Sequence, residues 1–375
     1  VVFTSIMEHH SNDITWRESI ADVVYIPYDE HTLLPDLEVF EDLLEIYKDR
    51  KYKVASISAC SNVTGIQTNY HELAKIMHQH EGYCFVDFAA SAPYVDITMR
   101  PTDPEEKLDA IFFSPHKFVG GPGTSGILLF DRALYHNTVP DNPGGGTVQW
   151  VNLWGEQNYW DTQKIEDIEA REDGGTPPFL QAIKASLCML LKEEMGTHQI
   201  EAREKELLNI ALPALKRNKK IRLLNGHIEE RLGILSFFLT DRPSSYNLMV
   251  QLLNDLYGIQ VRGGCACAGP YGHCLLNINK IQSRQIQGEI MQGNTANKPG
   301  WIRLSLHPLM TNMELHYILN AIETITTHFE TLMEDYNPVP NSTSWRHKSY
   351  EREPQIALLA KEFFGLEKKG NLALV

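Results

Sequence analysis

Apolar and polar residues follow one another in short blocks along this chain, and the period of the blocks changes as it proceeds. Apolar runs at Val1–Ile6, Val23–Ile26 and Val54–Ala59 read as buried strands. Between and after them, Leu37–Lys48 and Asn69–His80 repeat apolar residues at helical spacing, with Leu73, Ile76 and Met77 on one face. Two more apolar runs, Tyr83–Asp87 and Ala110–Phe113, each end abruptly in polar residues. This alternation of strand and helix predicts a mainly parallel sheet covered by helices on both faces, an α/β fold. Ligands of such sheets sit beyond the carboxyl ends of the strands, where the polar motifs fall.

A Gly144-Gly145-Gly146 run interrupts the pattern and is expected to mark a long active-site loop. Pro177–Met195 then reads as a helix capped by Thr176-Pro177, and Ile200–Leu215 as another. Strands at Ile221–Leu224, Gly233–Leu239, Gly258–Val261 and Trp301–Leu306 mix with helices at Asn247–Leu256 and Met313–Leu332. The expected organisation is a large α/β domain over residues 1–198 and a smaller α+β domain over 199–335. A C-terminal extension, 336–375, holds a short amphipathic stretch at Ile356–Leu366. The chain opens on an apolar strand without an initiator Met or a signal peptide, so a segment before Val1 is expected.

Charge and composition narrow the partners. A formal charge of −14 with no Lys/Arg cluster argues against a nucleic-acid surface and against an anionic membrane. No apolar run approaches the roughly 20 residues that span a bilayer. The six cysteines, at 60, 84, 188, 265, 267 and 274, are irregularly spaced, which points to reduced thiols and a cytoplasmic setting.

The chemistry concentrates around Lys117. The apolar run Ala110–Phe113 stops at Ser114-Pro115-His116-Lys117, a glycine-rich turn follows, and a second apolar run begins at Ile127. A lysine at the mouth of a buried strand pair is desolvated, loses proton affinity and becomes an amine able to form a Schiff base. Asp87 ends the preceding apolar strand. A carboxylate and a lysine at neighbouring strand ends suit pyridoxal phosphate, the acid holding the ring nitrogen protonated and the lysine carrying the aldehyde.

Further motifs occur in a telling order: Glu8-His9-His10-Ser11-Asn12 before Trp16, then Ser58-Ala59-Cys60-Ser61-Asn62-Val63-Thr64-Gly65, Val86-Asp87 and Ser114-Pro115-His116-Lys117. Arg262-Gly263-Gly264-Cys265-Ala266-Cys267-Ala268-Gly269-Pro270 and Ile302-Arg303-Leu304-Ser305 complete the set. Together they resemble the class V aminotransferase family of fold-type I pyridoxal phosphate enzymes, and within it the cysteine desulfurase and selenocysteine lyase branch. The resemblance covers roughly residues 1 to 330.

It implies a role for each matching position. Lys117 carries the cofactor and shuttles the α-proton of the substrate, Asp87 pairs with the pyridinium nitrogen, and His9 stacks on the ring with acid–base work open to it. Ser114 and His116 contact the cofactor phosphate, Asn62 lies near the phenolic oxygen and the substrate carboxylate, and Arg303 clamps that carboxylate. Thr176, after Gly174-Gly175, matches a threonine that reaches the phosphate of a neighbouring subunit, which implies a homodimer. Cys267 occupies the position of a nucleophilic cysteine on a mobile loop. Arg262, assigned to the substrate side of the site, is the nearest cation in sequence to favour its thiolate. The implied reaction takes sulfur from L-cysteine as a persulfide on Cys267, releases L-alanine and passes the sulfur to an acceptor.

Three positions depart from the family pattern. Ala90 stands where a glutamine usually bonds the phenolic oxygen, Thr15 where a proline usually precedes the tryptophan, and the glycine–threonine phosphate loop would precede Val1. Two alternatives follow: another class V reaction (aminotransferase, epimerase or lyase), or a cofactor-free homologue acting as a binding partner.

Other features read more plainly. Gly120–Gly126 precedes a strand and lacks a G-K-[ST] ending, so it is expected to be a tight turn. His9 and His10, on a strand, would point to opposite faces and bind no metal. Cys265, Cys267 and Cys274 match no zinc module, and Cys265 is expected to be inert. Glu166–Glu172, with Arg171 inside it, reads as a solvated acidic face.

Overall fold

The computed structural model describes residues 1–160, 167–349 and 354–363. The first half builds β1 (Val2–Thr4), α1 (His10–Arg17), β2 (Val23–Tyr25), α2 (Leu37–Ile46), β3 (Val54–Ser58), α3 (Tyr70–Gln79), β4 (Tyr83–Asp87), β5 (Ala110–Phe113) and β6 (Ile127–Phe130). These strands form one six-stranded sheet in the order β2-β1-β3-β4-β5-β6, parallel throughout except for the antiparallel pairing of β6 with β5. Its core joins Phe3, Ile57 and Val86 to Phe40 and Leu44 of α2 and to Leu73 and Met77 of α3, all fully buried. Each such side chain contributes roughly 1.5–3 kcal/mol on burial, which is why the periodic apolar stripes dock where they do.

A middle segment carries the hairpin β7 (Val148–Val151) and β8 (Gln157–Tyr159), then α4 (Ile168–Glu172), the long α5 (Phe179–Met195) and α6 (Thr197–Arg217). The chain then runs through β9 (Ile221–Leu223), β10 (Ile234–Leu239), α7 (Tyr246–Tyr257), β11 (Arg262–Gly264), α8 (Gly269–Leu275), α9 (Lys280–Met291) and β12 (Trp301–Ser305), a stretch whose four strands form a second sheet. Its order is β11-β12-β10-β9, antiparallel, with α6, α7 and α10 (Asn312–Thr327) packed over it. After α11 (Phe329–Met333), β13 (Tyr336–Pro338) pairs with β14 (Trp345–His347), and α12 (Pro354–Phe363) follows. The two sheets meet where Leu232 N–H donates to Gly65 C=O at 2.8 Å. Gly65 has φ +74°, and a Cβ there would fall 2.5 Å from the Leu232 carbonyl oxygen, so the junction requires glycine.

Several expectations change. The helix expected from Pro177 starts at Phe179 with Pro178 as its N-cap and no side-chain cap, while Thr176 is exposed. The Pro177-Pro178 pair has no N–H to cap, and a following proline keeps Pro177 out of helical conformation. Gly258–Val261 is not a strand: Gly258 adopts φ +66° as the left-handed cap of α7, and pairing with β12 begins at Arg262. The helix expected over Met313–Leu332 is interrupted at His328.

His9 and His10 lie on no strand but cap and open α1, whose buried residues Asn12 and Asp13 are polar and show no apolar stripe. Glu166 lies outside the described residues. Arg171 is not solvated but fully buried, donating to Trp160 C=O at 2.9 Å and Thr138 C=O at 2.9 Å, with Tyr135 as a third partner. It ties this segment to the preceding loop. Gly145 C=O accepts from Gly175 N–H at 2.8 Å, which joins the glycine run to the segment before α5.

Candidate active site

Beyond the carboxyl ends of β3, β4 and β5 lies a cavity of about 880 Å³, closed on the other side by β10 and β12. His9, Asn62, Asp87, Ser114, His116, Lys117, Arg262 and Arg303 all line it, so eight sequence-predicted residues from both sheets share one space. Cys267 and Thr176 are not on its wall.

Lys117 reaches the cavity because β5 ends in a short 3₁₀ turn over Pro115–Lys117. Pro115 and Phe118 are buried and pin that turn, and Phe118 N–H donates to Pro115 C=O at 3.0 Å. A Cβ on Gly121 would lie 1.9 Å from the Pro115 carbonyl oxygen, so the chain can fold back only as glycine. The ammonium has access to water through the open mouth, but the walls crowd it. Burial pushes its pKa below the usual lysine range, Asp87 opposes the shift, and Arg303 and Arg262 add to it.

Asp87 closes β4, 8% exposed, and takes a hydrogen bond from Ala89 N–H at 2.7 Å. Burial raises its pKa, against the pull of that N–H and of Lys117. A cationic N–H donor from a ligand would complete its second oxygen.

His9 is the N-cap of α1, its Nδ1 accepting from Ser11 N–H at 3.2 Å. That bond leaves the proton of the neutral ring on Nε2. Burial pulls the pKa of His9 below the ordinary value, with the Lys117 charge next in effect, which favours the neutral form. Ala90 sits in the cavity wall beside Cys60 and Tyr94 and offers no polar group.

Two buried polar atoms of this cavity lack partners in the protein: Asn62 Oδ1 and Arg303 Nε. Such atoms are costly unless a ligand satisfies them, by about 1–3 kcal/mol each. Arg303, on β12, is aimed by its Nη1 donating to Asn62 C=O at 3.1 Å, and Asn62 Nδ2 donates to Ala266 C=O at 2.7 Å. Cys267 stands at the rim, with Arg262 Nη2 3.3 Å from its sulfur.

Two carboxyl groups escaped the sequence reading of roles. Glu8 is buried and accepts from Ser5 Oγ at 2.6 Å, Asn12 Nδ2 at 2.6 Å, Ser58 N–H at 2.9 Å and Ser58 Oγ at 2.7 Å. It binds the start of α1, and so His9, to the end of β3. Burial pushes its pKa up to about 7 against those four donors. Its place directly after an apolar strand and before a polar segment was the available signal. Glu204, on α6, lines the cavity, accepts from Gly233 N–H at 2.9 Å, and is likewise raised by burial to about 7. Among Glu201 and Glu206 it looks like ordinary surface charge, so nothing in the sequence marked it.

The model of the aminotransferase class V family matches residues 1–318. The chain belongs to that family. Members of the class V family depend on pyridoxal phosphate, and the cavity fits it: a buried carboxyl, a lysine of lowered proton affinity and two unsatisfied polar atoms face one space. Among curated relatives, a probable cysteine desulfurase of Halalkalibacterium halodurans is 30% identical over 269 residues, 70% of this chain and 61% of the relative. A cysteine desulfurase of Haloferax volcanii is 31% identical over 276 residues, 72% of this chain and 59% of the relative. The chain therefore spans about three fifths of the length of these relatives.

The fold resembles cysteine desulfurases of Thermococcus onnurineus and Escherichia coli, each with a TM-score of 0.67, at 22% and 23% identity. These matches cover 87% and 88% of this chain and 72% of each of those chains. Among the described residues no group of three metal-ligating side chains occurs, and no helix is long and apolar enough to cross a membrane.

Proposed function

We propose that this class V enzyme is a cysteine desulfurase, converting L-cysteine to L-alanine with the sulfur carried as a persulfide on Cys267. The observation that carries the reading is the meeting of Lys117, Asp87 and Arg303 in one cavity with the Cys267 sulfur at its rim, 3.3 Å from Arg262. Asp87 would face the ring nitrogen of pyridoxal phosphate, Lys117 its aldehyde, His9 its face, and Ser114 with His116 its phosphate. Bound there, the cofactor supplies an electron sink for the bonds at the substrate α-carbon.

The residues of the chain do the rest. Arg303 presents its unsatisfied Nε to the substrate carboxylate, and Asn62 Oδ1, likewise unsatisfied, is free to accept a hydrogen bond from a ligand N–H or O–H. Lys117, with its lowered proton affinity, takes the α-proton and returns it. Cys267 attacks the substrate sulfur: an S–S bond forms, the Cβ–S bond breaks, and its electron pair stays on the substrate carbon, which is then protonated. Arg262 lies beside the attacking sulfur.

Thr176, exposed and off its own cavity wall, supports a homodimer in which it serves the partner's phosphate. The cysteines, all free among the described residues, support a cytoplasmic setting, and the sulfur passes to an acceptor protein. A different class V reaction is the second reading, favoured by Ala90 in the cavity wall and by the position of Cys267 outside it.

The test is to load the full-length protein with pyridoxal phosphate and incubate it with L-cysteine and a reductant, quantifying alanine and sulfide. Equimolar products, absent in Lys117→Ala and Cys267→Ala, are expected. Cofactor-loaded protein that makes no alanine would sink the desulfurase reading and leave the second one.

A further inference from the structure

We propose that His10, which no step above uses, is a positioning residue that parks the Cys267 loop outside the cavity. The inference rests on the reading of Cys267 as the sulfur carrier. His10 meets the loop twice: its backbone N–H donates to Cys267 C=O at 2.8 Å, and its ring Nε2 accepts from Gly269 N–H at 3.0 Å. A ring that accepts at Nε2 is neutral and carries its proton on Nδ1.

Between these bonds and the Asn62 bond to Ala266 lies an unusual stretch of backbone. Ala266 and Cys267 both adopt left-handed conformations, φ +53° and +57°, which non-glycine residues hold only when their surroundings impose it. The sulfur is thereby kept against Arg262 rather than on the cavity wall.

The holding side is firm. α1 is tied to β3 by the Glu8 carboxyl on Ser58 and by Ser56 Oγ donating to Asn12 Oδ1 at 2.6 Å. The loop side is strained, so loss of the ring bond lets the loop relax and Cys267 move. His9, on the cavity wall, is the adjacent residue. A ligand seated against His9 is therefore one peptide unit from the latch.

The test follows alkylation of Cys267 by iodoacetamide, read by mass spectrometry on full-length protein, with circular dichroism confirming that each variant is folded. His10→Ala is expected to speed alkylation about five- to tenfold, the equilibrium weight of one lost hydrogen bond. His10→Gln, whose amide oxygen can accept from Gly269, should return the rate to near wild type. Gly269→Ala attacks the same contact from the loop, because its Cβ would lie 3.1 Å from His10 Nε2. It should act in the same direction and add little to His10→Ala.

Equal rates in wild type, His10→Ala and Gly269→Ala overturn the proposal, and so does a His10→Gln rate as fast as that of His10→Ala. Alanine production surviving in Cys267→Ala would instead overturn the reading of Cys267 as the sulfur carrier and leave the alkylation comparison intact.

Discussion

Lys117 and Cys267 are carried by turns of opposite construction. The Lys117 turn is local: Lys117 N–H donates to Ser114 C=O at 3.1 Å, Phe118 N–H to Pro115 C=O at 3.0 Å, and Gly121 N–H to Phe118 C=O at 3.0 Å. The Cys267 loop has one local bond, from Ala268 N–H to Cys265 C=O at 3.2 Å, and is otherwise held by His10 on α1, Asn62 after β3 and Arg262 on β11. A turn built from neighbouring residues keeps its shape whatever the rest of the molecule does. A loop held by side chains of separate elements can be released one bond at a time. The group proposed to hold the cofactor is thus on the rigid turn, and the group proposed to travel is on the releasable one.

Variants of the two halves should fail differently. Asp87→Asn leaves both turns intact but removes the charge proposed to face the ring nitrogen, and should lower alanine production by about 10²–10³-fold, with little change in thermal midpoint. A loss below about tenfold would detach Asp87 from the proposed role. Gly121→Ala strikes the local turn, since its Cβ would sit 1.9 Å from a carbonyl oxygen. Denaturant titration should show a loss of about 3–4 kcal/mol together with lost cofactor binding.

Glu8→Gln strikes the base of the releasable loop. Its amide would turn N–H groups toward the donors of Asn12 and Ser58. A stability loss of about 2–3 kcal/mol is expected, with faster alkylation of Cys267 but an intact Lys117 turn. Unchanged alkylation would mean that α1 does not transmit to the loop.

The smallest effect belongs to Glu204, whose pKa rises from 4.5 to about 7 on folding. The folded state holds this proton more tightly than the unfolded chain. Its contribution is therefore fully present below pH 4.5 and lost as pH rises through about 7. Glu204→Gln should flatten the fall in stability between pH 5 and 8 by ~1–3 kcal/mol. Glu8 keeps a similar slope in both proteins, so the difference between them is the quantity to measure.

The sheet-forming half was legible because each strand is a short apolar block and each covering helix a periodic one. α1, α8 and α9 were not, for opposite reasons to α2 and α3. α1 buries Asn12 and Asp13, and α9 buries nothing, so neither writes an apolar stripe. In the site, Lys117 and Asp87 were legible from abrupt apolar-to-polar steps at strand ends. The sequence marked Glu8 only by its place after an apolar strand and marked Glu204 not at all, because a buried carboxyl and a solvated one look alike until the partners are placed.

By itself, the amino-acid order determined what depends on near neighbours: the βαβ rhythm, the strand-end placement of Lys117 and Asp87, and the glycines its turns require. Only the tertiary structure decided what depends on contacts between distant segments. It set Asn62 and Arg303 side by side with unsatisfied atoms, buried Arg171, and held Cys267 at the rim through His10. The reason is physical: local backbone geometry follows from adjacent residues, whereas burial and hydrogen-bond partners are properties of the packed whole.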